Sequence, residues 1–179
     1  MTLATGPSGT RRHECTVPAG EVLPGEALDV ALRVVLPPEG VQPAGAMVYC
    51  LPGGYTNRLF FDLGEAGDRR FSMAEALARR GFIAALADHP GTGGSNAPSD
   101  LWDLTPGLLA RTHSAVVAEI LAGLRDGTLL PDIKATPGLV AIGCGHSMGA
   151  VITIEMQGAD RVYSGLVLLG YGSGGLPDL

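Results

Sequence analysis

The sequence predicts an α/β domain, a mostly parallel sheet with helices on both of its faces. Three observations predict it. Short apolar runs with no polar face, such as residues 82–87 and 139–144, read as strands buried on both sides. Between them lie segments whose apolar residues fall at helical spacing, bounded by recognisable start and stop signals. The two patterns alternate along the chain, as they do where parallel strands share a sheet and helices cover it.

The composition suits one core. Of 179 residues, 46% are hydrophobic and 17% charged, and the mean hydropathy of +0.25 excludes a disordered chain. The net charge is -6. It offers none of the clustered cations that nucleic acid or an anionic membrane requires, so neither is an expected partner. No run reaches the roughly 18 consecutive apolar residues of a membrane span, and the opening MTLATGPSGTRRHECTVPAG lacks the apolar stretch of a secretory signal. Cys15, Cys50 and Cys144 are odd in number and widely spaced, with no C-x-x-C and no Cys/His cluster. They imply no metal and fit a reducing, cytoplasmic setting. No organic cofactor is implied.

Residues 1–25 read as a flexible lead-in with room for a first strand, and 26–179 as the domain proper. LDVALRVVLP and AMVYCL are two strand patterns, taken as neighbours joined by the turn PPEGVQPAG. The connection over residues 52–70 is Gly-rich, aromatic and too long for a turn, a feature of functional loops. FSMAEALARRG then predicts a helix, with Ser72 and Glu75 spaced for a reciprocal capping box and Gly81 at its end. FIAALAD is a buried strand and DHPGTGGSNAPSD a loop by composition. Thr105 and Pro106 start a second helix, Leu109, Val116, Val117, Ile120, Leu121 and Leu124 give its apolar face, and Gly127 ends it. GLVAIGC is a buried strand, AVITIEMQ a helix and VYSGLVLLG a third buried strand.

Between GLVAIGC and the following helix stands Gly145-His146-Ser147-Met148-Gly149. This is G-x-S-x-G at a strand-to-helix junction, where it places a serine on a strained, exposed turn. Side chains in place of the glycines would meet neighbouring backbone. The helix N-terminus beyond offers unpaired N–H groups to a developing oxyanion.

With this motif the sequence resembles the α/β-hydrolase family from about Glu26 onward. Two further landmarks carry the resemblance: Pro52-Gly53-Gly54-Tyr55 after AMVYCL, and Asp88-His89-Pro90-Gly91-Thr92-Gly93-Gly94-Ser95, similar to the family's D-x-x-G-x-G-x-S loop. The resemblance implies Ser147 as nucleophile, the Met148 N–H as one oxyanion donor and the N–H of Gly54 or Tyr55 as the other, with the Asp88 loop structural. The substrate would be a small acyl compound. The family's triad runs Ser, then acid, then His. Here His13, His89, His113 and His146 all precede Ser147. The expectation is therefore a domain stopping after about the sixth core strand, inactive alone, whose base would come from a further C-terminal segment or a second chain.

The remaining residues have plainer readings. His146 is expected to pack, His89 to order its loop rather than act as a surrogate base, and His113 to be a hydrogen-bonded core residue. Of the acids after the serine, Glu155 lies within a helix and Asp160 at the far end of the sheet. Asp178 follows the last strand, where the resemblance allows an acid. Cys144 reads as a small buried hydrophobe. Leu59, Phe60 and Phe61 hint at an apolar acyl or alcohol group. A non-catalytic binding or pairing module is the alternative. Dinucleotide binding through Gly143, Gly145 and Gly149 is disfavoured, because no acid stands about 20 residues on.

Overall fold

The computed structural model describes residues 4–5, 9–65, 68–131 and 133–172. Its elements run β1 (Ala4–Thr5), β2 (Arg11–Leu23), β3 (Glu26–Leu36), β4 (Ala46–Leu51), α1 (Met73–Ala78), β5 (Ile83–Ala87), α2 (Pro106–Asp126), β6 (Val140–His146), α3 (Met148–Asp160) and β7 (Gly165–Leu169). The strands form one sheet in the order β1-β2-β3-β5-β4-β6-β7. From β5 through β7 every pairing is parallel, whereas β1, β2 and β3 add to the edge antiparallel.

Period-2 alternation splits the core into two layers. Met47, Tyr49 and Leu51 of β4 join Ile83, Ala85 and Ala87 of β5 on the face covered by α2 and α3. Val48, Cys50, Ala84 and Leu86 turn the other way, against Phe61 and the α1 residues Ala74 and Ala78. Helices thus lie on both faces, as the sequence predicts.

The helix ends follow local chemistry. Thr105 Oγ1 accepts from Leu108 N at 3.3 Å, Pro106 fills the first helical position, and Gly127 closes α2 at φ 78°. By length and composition α2 could cross a membrane. Eleven of its residues are buried within the fold, which marks it as a core helix. At α1 the capping box is only half made. Ser72 Oγ accepts from Glu75 N at 2.9 Å, but the Glu75 carboxylate turns instead to Arg12 and Thr10.

Three expectations are corrected. The strands over 26–36 and 46–51 are not neighbours, because β5 lies between them. Their connection, residues 37–45, is longer than a tight hairpin needs and spans the roughly 10 Å width of one intervening strand. The lead-in is not flexible from Arg11 onward: the first strand for which it left room runs for 13 residues and pairs along its length with β3. Its charged start hides the alternation, since Arg12 and His13 are both buried. Finally, β7 is not buried. Leu166, Val167 and Leu168 are 37–41% exposed, as befits the outermost strand of the sheet.

Candidate active site

Ser147 alone separates β6 from α3, with φ 52° and ψ -116°. A non-glycine residue reaches that conformation only when its surroundings impose it. Here the Ser147 N–H donates to Leu169 O on β7 and its carbonyl accepts from Ala150 N, both at 2.9 Å. The flanking glycines are sterically required. A Cβ on Gly145 would run into the backbone of Gly149 and Ala150, and one on Gly149 into the carbonyls of Leu51 and Pro52. Ser147 is exposed, and its hydroxyl does not cap the helix.

The loop after β4 lies over this elbow. A Cβ on Gly53 would sit 3.2 Å from Ser147 Cβ, and one on Gly54 would sit 3.8 Å from Met148 Sδ. Tyr55 adopts φ 61° and projects fully into solvent. Thr56 Oγ1 donates to Gly53 O at 2.8 Å, tightening the turn. Among the described residues, no main-chain carbonyl takes the N–H of Gly54, Tyr55 or Met148. Met148 opens α3, where the first N–H groups have no partner within the helix. Gly53 thus lies close to Ser147, and Gly54 to Met148.

The histidines are engaged elsewhere. His146 stacks on Phe60 with ring centroids 4.6 Å apart, and its Nδ1 is buried against the Gly53 turn with no hydrogen-bond partner among the described residues. His13 is buried in β2. His89 and His113 are linked: His89 Nε2 meets Pro52 O at 2.9 Å, His89 Nδ1 meets His113 Nε2 at 3.0 Å, and His113 Nδ1 meets Tyr49 Oη at 2.8 Å. Burial lowers the pKa of His89, against the bond to Pro52 and the charge of Asp88. Burial, then the neighbouring His89, holds His113 well below the ordinary value. Burial likewise pushes the Tyr49 phenol well up, so the whole chain is uncharged.

Glu155 and Asp160 are exposed on α3; Asp178 and the tail from Ser173 lie outside the described residues. Cys144 is fully buried beside its register partner Cys50, both as free thiols. Of the apolar trio, Phe61 belongs to the core, Phe60 to His146, and only Leu59 is exposed.

The walls rest on two ion clusters that sequence reasoning misses. The buried Asp88 carboxylate takes the Arg58 guanidinium, Arg58 N at 2.7 Å and Gly94 N at 2.7 Å. It thereby ties residues 57–61 to the Asp88 loop. Asp62, also buried, accepts from Arg12, Arg33 and Ser72. Burial works against its charge, but those donors prevail and hold the carboxyl below its usual range. The partners are 10 to 50 positions apart, and no local spacing announces them.

The same architecture recurs in solved structures. An epoxide hydrolase from Vigna radiata superposes with a TM-score of 0.61 at 17% identity, over 89% of this chain and 38% of that one. A cold-adapted esterase from an Arctic intertidal metagenomic library gives 0.56 at 18%, over 93% and 62%. An α/β serine hydrolase without lid from Xanthomonas campestris gives 0.54 at 19%, over 87% and 60%. The chain spans between 38% and 62% of the length of these three structures. No family model and no curated protein matches its sequence. At such identities the likeness establishes the fold, an α/β-hydrolase fold, and leaves the chemistry to the residues themselves.

Proposed function

We propose that, on this fold, the chain supplies the nucleophile and oxyanion donors of a serine hydrolase acting on a small ester, thioester or amide. The observation that carries the reading is Ser147: exposed, at φ 52° on a strand-to-helix turn, with the Gly53–Gly54 backbone packed over it. In the reaction Ser147 Oγ attacks the acyl carbon and loses its proton. The carbonyl oxygen, now negative, is received by the N–H of Met148 and of Gly54 or Tyr55. Collapse expels the alcohol, thiol or amine with a proton and leaves an acyl-enzyme, which water then cleaves.

The proton needs an acceptor, and none of the chain's four histidines is placed to be one. His89 and His113 use their ring nitrogens in the buried chain, His13 is buried in β2 and His146 is stacked on Phe60. Turnover by these residues alone should fall about 10⁴- to 10⁶-fold short of a complete triad. An imidazole from another segment or chain would restore it. A reducing, cytoplasmic setting fits the thiols of Cys50 and Cys144.

The test is stoichiometric labelling by a fluorophosphonate, which needs no turnover. Slow labelling of the folded chain, hastened by added imidazole and absent in Ser147→Ala, supports the reading; a folded chain that stays unlabelled at high probe concentration with imidazole present overturns it. The engaged histidines favour one second reading, a binding or pairing module. It predicts saturable binding of an acyl ligand with no acyl-enzyme at any added imidazole concentration.

A further inference from the structure

We propose that His89 and His113 are positioning residues: with Tyr49 they form a buried chain of hydrogen bonds that holds the Pro52 carbonyl and so aims the oxyanion loop over Ser147. The catalytic consequence rests on the serine-hydrolase reading above; the geometry does not.

The direction of every bond in the chain is fixed. The Pro52 carbonyl can only accept, so the proton 2.9 Å away is on His89 Nε2. In a neutral ring Nδ1 then carries a lone pair, so it must accept from His113 Nε2, 3.0 Å away. His113 Nδ1 is thereby an acceptor too, and it takes the Tyr49 hydroxyl proton at 2.8 Å. Each of the three side chains is at least 99% buried. Neutral rings are what that burial favours.

The chain ends on an atom that matters. β4 stops at Leu51, so the sheet gives the Pro52 carbonyl no partner, and His89 supplies one from the end of β5. Among the described residues no peptide bond is cis, so fixing the Pro52 oxygen fixes the Gly53 N–H in the opposite direction, in the same plane. The same carbonyl abuts the Cα of Gly149, which references the loop to the elbow. His113, on α2, and the Asp88 backbone, whose N–H donates to Ala31 O at 3.0 Å and whose carbonyl accepts from Ser95 Oγ at 3.1 Å, keep His89 from swinging away. Two apolar residues would fill this volume at lower polar cost. What they could not do is hold Pro52.

The experiment reads the loop directly. In the 15N-labelled chain at neutral pH, long-range imidazole spectra should show the Nε2–H tautomer for both His89 and His113. The Nδ1–H tautomer or an imidazolium at either residue overturns the proposal without any variant. Backbone 15N order parameters at Gly53, Gly54 and Tyr55 should fall below about 0.6 in His89→Leu while Val48 and Ala85 stay near about 0.85. His89→Gln, which keeps a donor toward Pro52, should restore them. Unchanged order parameters at 53–55 in a folded His89→Leu, or equal effects of Leu and Gln, overturn the proposal. For fluorophosphonate labelling, His89→Leu should lower the maximal rate about tenfold or more with the apparent inhibitor constant unchanged, the pattern of a misaimed donor. If the parent chain is never labelled yet the order-parameter pattern holds, the serine reading fails and the positioning of the loop stands.

Discussion

The Pro52 carbonyl oxygen lies 2.5 Å from where a Cβ on Gly149 would be. Two segments separated by nearly a hundred residues, the end of β4 and the first turn of α3, therefore touch backbone to backbone. In an ordinary helix Gly→Ala is favourable by up to about 1 kcal/mol. Here Gly149→Ala should reverse that sign and destabilise by about 2 kcal/mol or more through overpacking. Urea unfolding monitored by circular dichroism checks it.

Ser147 should trade stability for position. Its φ of 52° costs a residue with a Cβ about 1–3 kcal/mol. Ser147→Gly should raise the melting temperature and abolish fluorophosphonate labelling. Ser147→Ala should abolish labelling with little of that gain. Equal melting temperatures for the three proteins would show that the turn is unstrained.

Arg12 is the hub of a buried cluster. Its guanidinium reaches Asp62 at 3.0 Å and Glu75 at 2.6 Å, with both side chains nearly or wholly inaccessible. Arg12→Met leaves two carboxylates short of a partner and should cost about 3–5 kcal/mol. Adding Asp62→Asn and Glu75→Gln should recover part of the loss, a coupling that a mutant cycle measures.

Stability should also depend on pH in two windows. His89 and His113 take up a proton less readily when folded, so the unfolded chain is favoured as acid is added. Their contribution is complete above about pH 6.5 and is lost as pH falls through the folded values. His113→Leu should flatten the change in urea midpoint between about pH 7 and 5. Asp62, held below its usual range by Arg12, Ser72 and Arg33 against burial, adds a second loss below about pH 4. In Arg12→Met that second loss should shrink.

The sequence reveals what is local. AMVYCL and FIAALAD are apolar on both faces, the Thr105–Pro106 start and the Gly127 stop frame α2, and the elbow is announced by five consecutive residues at a strand-to-helix junction. What it hides is pairing at a distance. That β5 enters between β3 and β4 depends on a loop long enough to step over one strand, which no residue in that loop declares. The strand from Arg11 is masked by its own charges, because Arg12 is buried only by virtue of Asp62 and Glu75, 50 and 63 positions away. His89 and His113 can be read singly, as a loop residue and a core residue. Their joint hold on Pro52 becomes visible only when three elements meet.

The insertion of β5 between β3 and β4 also sets an order of events at the ribosome. The β2–β3 hairpin is contiguous and can form as soon as it emerges, but the free edge of β3 must wait for Ile83. The 46 residues from 37 to 82 take roughly two to nine seconds to synthesise at typical rates of about 5–20 residues per second. Throughout that interval a nascent hairpin carrying Val30, Leu32 and Val34 presents an unpaired, apolar margin to solvent. Chaperone capture, or pairing between neighbouring chains on a polysome, is the hazard this topology accepts, and slowing translation ahead of Ile83 should lengthen it.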